Sequence, residues 1–268
     1  MAQVISIATQ NPTSLRPIGL VSEAVEIMSK LHFRRIPIVW EDSLVGIVTA
    51  RDLLYLIENK GLSVLTDELQ YHMVKEPIFV YRDVELGDAV KLMFEHNIGS
   101  LPIVSERDRT LAGIVTERDL VRAFTENIFA DADLREFIST VPTTAPYKTS
   151  TVMKIMKIMA KQKIRRVILI DSKNIVMGVI TASDILRYIS EHIVRTGEPE
   201  GDILKEKIST ITNPDVTVVD INESVSEVAK LLIEKGIGGV PVIDENKELM
   251  GVFTERDILL LVGTYNLM

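Results

Sequence analysis

One seven-residue pattern occurs four times in this chain of 268 residues. Each copy reads glycine, two apolar residues, threonine, two variable residues and aspartate, and an apolar pattern of helical period follows it. We call this segment the junction, and its copies are 46–52, 113–119, 178–184 and 251–257. Their glycines lie 67, 65 and 73 residues apart, which exceeds the unit of the common solenoids, so each repeat must hold several elements of secondary structure.

The fourth repeat shows the order of these elements best. Asn213-Pro214 is a chain breaker, a β-branched run follows it, and the next apolar residues recur at helical spacing. Thr254 is placed to cap the last helix. The predicted parts are the strand 216–219, the caps 222–224, the hairpin strands 240–243 and 250–253, and the helix 258–262. The fold class is therefore α+β, with the order strand, helix, strand, strand, helix.

The other repeats follow the same order after the breakers Asn11-Pro12, Glu76-Pro77 and Pro146. The repeats also alternate. Odd repeats carry an arginine pair before the first hairpin strand, and the junctions of even repeats read Thr-Glu-Arg-Asp. An odd–even pair that was duplicated once explains this, so we predict two modules of two repeats, 1–138 and 139–268. The expected repeats are 1–66, 67–138, 139–204 and 205–268.

Composition limits the function classes. The net charge of −8 argues against binding of DNA or an anionic membrane through bulk charge. The absence of cysteine excludes disulfides and cysteine nucleophiles, and we expect a cytoplasmic protein. The segment 1–5 has neither a basic start nor a long apolar run, which predicts no secretory signal. The four histidines show no metal-ligand spacing, so no metal site is predicted.

The junction has two chemical interpretations. Thr-x-x-Asp before an apolar helix is typical of a capping box, in which the two residues satisfy backbone N–H groups reciprocally. The same geometry also suits a ligand, because a helix N-terminus attracts a phosphate and an ionised aspartate accepts two hydrogen bonds from the vicinal hydroxyls of a ribose. Four copies in one structural context favour the second interpretation. No base–nucleophile arrangement accompanies them, so no catalytic residue and no enzymatic activity are expected.

The repeated strand–helix–strand–strand–helix unit ending in this junction resembles the CBS domain, and the Arg-Arg-Ile-Pro-Ile-Val strand of repeat 1 matches that family too. The resemblance covers nearly the whole chain. It implies that the repeats pair into Bateman modules, which in that family often stack into a disc. It also implies that adenosine derivatives (AMP, ADP, ATP or S-adenosylmethionine) bind between paired repeats and regulate a partner enzyme, as in the gamma subunit of AMP-activated protein kinase.

The resemblance assigns roles to particular residues. The aspartate and threonine of a junction would hold ribose and phosphate, which concerns Thr49, Asp52, Thr116, Asp119, Thr181, Asp184, Thr254 and Asp257. Basic residues of the paired repeat would hold phosphates, which concerns Arg34, Arg35, Arg51, Arg118, Arg165, Arg166 and Arg256. The adenine would lie against a breaker segment, which concerns Asn11, Pro12, Pro77, Ile78, Pro146 and Pro214.

The arginine pairs divide these sites. The Asp119 site would face Arg34 and Arg35, and the Asp257 site would face the pair of repeat 3, so these two sites are expected to bind nucleotides best. Repeat 3 departs from the family pattern, since Ile168 replaces a proline and Ser183 replaces an arginine.

The expected protein is a regulatory sensor that signals energy or metabolite state. Its expected partners are an adenine nucleotide and an unidentified regulated protein, with no DNA and no membrane. Formation of a homodimer is left open. Two alternatives remain at this stage. One is an interaction scaffold whose junctions only cap helices, and the other is a protein that binds nucleic acid through its arginine pairs.

Overall fold

The fold is described from a computed structural model, which covers residues 2–124, 132–197, 201–213 and 215–264. Eight α-helices lie within these ranges: α1 Val21–Leu31, α2 Ala50–Lys60, α3 Leu86–Glu95, α4 Glu117–Phe124, α5 Val152–Gln162, α6 Ala182–Thr196, α7 Val225–Glu234 and α8 Glu255–Thr264. The strands there are β1 Thr9–Gln10, β2 Arg35–Trp40, β3 Ser43–Thr49, β4 Val74–Lys75, β5 Val80–Tyr81, β6 Ser100–Val104, β7 Leu111–Thr116, β8 Thr144–Pro146, β9 Arg166–Ile170, β10 Val176–Thr181, β11 Val219–Asp220, β12 Gly239–Ile243 and β13 Leu249–Thr254.

Every repeat contains the predicted hairpin between two helices. The hairpins are β2–β3, β6–β7, β9–β10 and β12–β13, all antiparallel. In repeats 2, 3 and 4, a short strand before the first helix adds to the hairpin in parallel, as β5, β8 and β11. Repeat 1 differs from the prediction, because only a single parallel bridge from Leu15 to Ile38 stands in place of that strand. The prolines at 12 and 17 flank this bridge and lack the N–H groups that would extend a ladder.

The chain forms two compact units that do not follow chain order. One unit comprises Met1–Pro12, Ile78–Pro142 and Thr217–Met268, and the other comprises Thr13–Pro77 and Thr143–Val216. The first unit therefore joins repeats 2 and 4, and the second joins repeats 1 and 3. The contiguous halves expected from the sequence are not the compact units. Helical periodicity shows that one face of a helix is buried, but it does not show against which repeat that face packs.

Each unit has its own hydrophobic core. In the unit of repeats 1 and 3, α1 packs against α6 and α2 packs against α5. Met156 and Met159 of α5 are fully buried in this core. In the unit of repeats 2 and 4, α4 packs against α8, and Phe253 is among the largest fully buried side chains.

The segment that precedes each repeat packs on a different repeat. Residues 2–10 pack on repeat 2, where β1 pairs with β7, and residues 61–75 pack on repeat 1, where β4 pairs with β3. Repeats 3 and 4 exchange their preceding segments in the same way: 132–139 packs on repeat 4 and 201–213 packs on repeat 3. The chain therefore supplies each repeat with a packing segment that belongs, in sequence, to the start of another repeat.

Candidate ligand-binding junctions

All four junctions share two hydrogen bonds between their threonine and their aspartate at the start of a helix. The threonine hydroxyl donates to Oδ2 of the aspartate three residues later, at 2.6 Å in repeats 1 and 3 and 2.7 Å in repeats 2 and 4. The aspartate N–H donates back to the threonine hydroxyl at 3.3–3.4 Å. In repeats 2, 3 and 4 the threonine N–H also reaches the carboxylate at 2.8–2.9 Å. The threonine therefore caps a helix in every repeat. A ligand can bind only to the atoms that these hydrogen bonds do not use.

The second carboxylate oxygen differs between repeats. Asp119 uses only Oδ2 in the hydrogen bonds above, and its Oδ1 accepts none from the described residues. Oδ1 of Asp184 accepts a 2.7 Å hydrogen bond from Arg187, which lies one turn later on α6. Oδ1 of Asp52 lies 4.0 Å from Nε of Arg51. The oxygen that a ribose hydroxyl could reach is therefore open at Asp119 and already occupied at Asp184.

The junction glycine lies where an exchanged segment crosses the second hairpin strand. A Cβ atom at Gly251 would lie 2.7 Å from the carbonyl oxygen of Ser139, and one at Gly113 would lie 3.0 Å from that of Thr9. Both distances are shorter than normal contact, so only glycine lets the two backbones approach. The crossings in the other two repeats are Gly46 with Met73 and Val74, and Gly178 with Thr212.

The arginine pairs lie beside the junction of their own repeat. Arg35 and Thr49 are opposite each other in one hairpin, and Arg166 and Thr181 are opposite each other in another. The carbonyl of the residue before Arg35 accepts the first N–H of α2 at 2.9 Å, and repeat 3 has the same contact. The sequence assigned these arginines to the site of a paired repeat, and that assignment stays a prediction. All four arginines take part in further interactions within the structure.

The arginines of the even junctions have partners that the sequence analysis missed. Nε of Arg118 donates to Oε1 of Glu255 at 2.6 Å, and a guanidinium nitrogen of Arg256 lies 3.5 Å from Oε1 of Glu117. The two glutamates are only 4% and 2% exposed. Each even repeat thus supplies a buried carboxylate and the arginine that neutralises the carboxylate of the other. The signal was in the sequence, because glutamate precedes the arginine only in repeats 2 and 4.

Tyr55 makes a polar contact between the two odd repeats. It lies one turn after the junction of repeat 1, on α2, and its hydroxyl shares its proton between the carbonyls of Met159 at 2.9 Å and Ile164 at 3.0 Å. Met159 lies in the last turn of α5, where its carbonyl also accepts the N–H of Ile164, and Ile164 follows the helix. Burial raises the pKa of the Tyr55 hydroxyl, and the charges of Arg51 and Asp52 have smaller opposing effects.

The predicted adenine-side residues occupy different environments. Asn11 adopts a left-handed φ of 47° at the end of β1, and Ile78 packs against the core of the unit of repeats 2 and 4. Pro146 is not a breaker, because it ends β8 and pairs in parallel with Ile170; the chain leaves one unit for the other at Pro142 instead. Pro214 lies outside the described residues.

Neither a metal site nor a membrane-spanning helix is present in the described part of the chain. No group of three or more histidine, aspartate or glutamate side chains within it could hold a metal ion. None of its helices combines the length and the apolar character needed to cross a membrane.

Comparison with known proteins identifies the repeats. A family model of the CBS domain matches residues 4–59, 67–126, 134–191 and 208–263. The protein MJ1225 of Methanocaldococcus jannaschii is 23% identical over 278 residues, which cover 97% of this chain and 96% of that protein. Its crystal structure shares the fold with a TM-score of 0.86 at 22% identity, over 97% of this chain and 99% of the other. An uncharacterised conserved protein from Pyrococcus horikoshii gives a TM-score of 0.65 at 20% identity, over 97% of this chain and all of that one.

A third relative is an enzyme, but the likeness covers little of it. Inosine-5'-monophosphate dehydrogenase of M. jannaschii is 34% identical over 110 residues, which are 41% of this chain and 21% of the enzyme. The family model, by contrast, covers most of this chain in four separate matches. The chain therefore belongs to the CBS domain family and contains four of its domains.

Proposed function

We propose that this protein is a regulatory sensor that binds adenosine derivatives at its junctions and signals their level to a partner protein in the cytoplasm. The observation that carries the proposal is the threonine–aspartate pair at the start of a helix, which occurs in all four repeats with the same hydrogen bonds. Membership of the CBS domain family supports it, and the ligands concerned are AMP, ADP, ATP or S-adenosylmethionine. No catalytic step is part of the proposal.

The chemistry of the junction supports a ribose with an attached phosphate. A carboxylate accepts hydrogen bonds from two adjacent hydroxyls, and Asp119 retains one oxygen for this purpose. The threonine hydroxyl is already committed to the aspartate, so in this proposal it orients the carboxylate and does not itself donate to the ligand. The free N–H groups and dipole of the helix N-terminus favour the phosphate.

The structure also supports one alternative, an interaction scaffold without ligands. Capping at every junction is what such a scaffold would need, since the hydrogen bonds stabilise the helices whether or not a nucleotide binds. The two functions differ in the effect of a nucleotide on stability. A ligand that binds only the folded protein at a hundred times its Kd stabilises it by about 2.7 kcal/mol.

The test is a thermal-shift and calorimetric titration with AMP, ADP, ATP and S-adenosylmethionine up to millimolar concentration. We expect at least one of them to raise the melting temperature and to bind saturably. Absence of both effects with all four ligands would leave the scaffold as the function.

Matched variants separate capping from binding. Asp119→Ala removes both the cap and the ribose acceptor, so it should lower stability by about 1 kcal/mol and remove binding at that site. Ser224→Ala removes a comparable cap outside the junctions, where Ser224 and Glu227 form a complete capping box on α7. It should lower stability similarly and leave nucleotide binding unchanged.

The same titration ranks the four sites. Asp119→Ala and Asp257→Ala should weaken nucleotide binding more than Asp52→Ala and Asp184→Ala do. The internal hydrogen bond that already occupies Asp184 supports this order. A reversed order would contradict the assignment of the stronger sites to the even repeats.

A further inference from the structure

Two buried glutamates hold the arginines of the even junctions. Glu117 and Glu255 are the first residues of α4 and α8, and each is followed directly by an arginine. Arg118 reaches Glu255 and Arg256 reaches Glu117, so the contacts are reciprocal. Removal of either carboxylate from water is costly unless a cation neutralises it, which explains why each glutamate lies against a guanidinium group.

The two arginines are held with different strength. Nε of Arg118 donates to Glu255 at 2.6 Å, while its NH2 group is buried and has no hydrogen-bond partner among the described residues. Arg256 makes only longer contacts, at 3.5 Å to Glu117 and 3.5 Å to the carbonyl of Met93, and its guanidinium lies over the ring of Phe94. Both guanidinium groups are therefore incompletely satisfied by the hydrogen bonds that hold them.

A phosphate is an acceptor suited to a guanidinium group. It carries more charge than a carboxylate and matches the fork of a guanidinium group with two oxygens. Any phosphate that recruits Arg118 or Arg256 must compete with the glutamate that already binds it. Such competition lowers the affinity for phosphorylated ligands and does not affect a ligand without phosphate.

We infer that Glu117 and Glu255 are internal competitors for the phosphate groups of the ligand, and that they set how strongly the protein prefers phosphorylated over neutral adenosine compounds. This inference rests on the proposed function, and it adds two glutamates that affect ligand preference. The odd junctions have alanine at the corresponding position, Ala50 and Ala182, so this internal competition concerns only ligands whose phosphate reaches Arg118 or Arg256.

The test measures the binding of AMP and of adenosine to the wild type, Glu117→Gln and Glu255→Gln by calorimetry. Glutamine keeps the shape of the side chain and removes its charge. We expect the variants to bind AMP about tenfold more tightly, because one charge-assisted hydrogen bond no longer opposes the phosphate, while adenosine affinity stays within about twofold. Glu95→Gln is the matched control, since Glu95 lies on α3 of the same unit and is exposed, and it should change neither affinity.

The outcomes separate this inference from the proposed function. If the wild type binds neither compound, the proposed function is wrong and the inference falls with it. If the wild type binds AMP and both variants bind it equally or more weakly, or gain equally for adenosine, the inference alone is wrong. Should Glu255→Gln fail to fold, Glu117→Gln carries the same test, because its ion pair with Arg256 is longer, at 3.5 Å, than the 2.6 Å pair of Glu255 with Arg118.

Discussion

The crossing at Gly251 predicts that alanine destabilises a position where it would otherwise be harmless. The φ angle of Gly251 is not positive, so the backbone itself accepts alanine, and the smaller entropy of the unfolded chain would stabilise the protein by about 0.4–1 kcal/mol. The new Cβ, however, would lie 2.7 Å from the carbonyl oxygen of Ser139, where ordinary contact begins at 3.4 Å. The exchanged segment must therefore retreat.

That retreat affects two backbone hydrogen bonds. The N–H of Ser139 donates to Val252 at 3.0 Å, and the N–H of Val252 donates back at 3.1 Å. At about 1 kcal/mol each, their loss outweighs the entropic gain, so Gly251→Ala should lower the free energy of unfolding by about 1–2 kcal/mol. Urea denaturation measures this as a lower midpoint at unchanged slope.

Hydrogen exchange locates the effect. The amides of Ser139 and Val252 should lose protection in Gly251→Ala more than amides of the α4–α8 interface do. Ser139→Ala is the control, because the two hydrogen bonds involve only backbone atoms, and it should leave stability within about 0.5 kcal/mol of wild type. A Gly251→Ala protein as stable as wild type, with both amides still protected, would refute the close crossing.

Two further predictions concern the contacts between repeats. Tyr55→Phe should lower the free energy of unfolding by about 1 kcal/mol, because one shared hydrogen bond to the carbonyls of Met159 and Ile164 is lost. Burial raises the pKa of this hydroxyl, so its contribution to the free energy of unfolding is complete below pH about 10 and is lost as the pH rises through the folded-state pKa. Urea denaturation at pH 8 to 11 should therefore show a smaller loss of stability with pH for Tyr55→Phe than for wild type. Tyr71→Phe is the control and should match wild type, because Tyr71 is exposed. In a double-mutant cycle, Arg118→Ala and Glu255→Ala should couple by about 1.5–3 kcal/mol in urea denaturation, and additivity of the two single effects would contradict the ion pair.

Much of each repeat could be predicted because its signals are local. Hairpins, helices and caps depend on residues a few positions apart, and the predicted hairpin strand 240–243 differs from β12 by one residue at its start. The threonine of Thr-x-x-Asp caps its helix in every repeat, and the reciprocal bond of a capping box is present in repeats 2, 3 and 4. The breaker in repeat 3 was misplaced because Pro142 and Pro146 lie close together, and the sequence does not show which of them β8 contains.

The contacts between repeats could not be predicted in the same way. An amphipathic helix buries one face against any apolar surface of suitable shape, so periodicity leaves the partner open. The exchange of the segments 2–10 and 61–75 was equally invisible, since a two-residue strand such as β4 pairs through its backbone and leaves almost no pattern in the side chains. The role of the junction glycine follows from this exchange, because the glycine is required only where another segment crosses.

Even junctions contain glutamate where odd junctions contain alanine, and this difference matches which repeats share a core. Repeat 2 packs with repeat 4, so Glu117 and Glu255 each meet an arginine that the other repeat supplies, and both buried charges are neutralised. Packing of an even repeat against an odd one would place a buried glutamate opposite the junction Thr-Ala-Arg-Asp or Thr-Ala-Ser-Asp, which offers no glutamate in return and, in repeat 3, no arginine. Packing of repeat 2 with repeat 4 therefore neutralises both buried glutamates, and duplication of an odd–even pair is the simplest event that supplies each kind of junction twice. Glu117 and Glu255, which distinguish the even repeats, are also the residues that we propose to tune the preference for phosphorylated ligands.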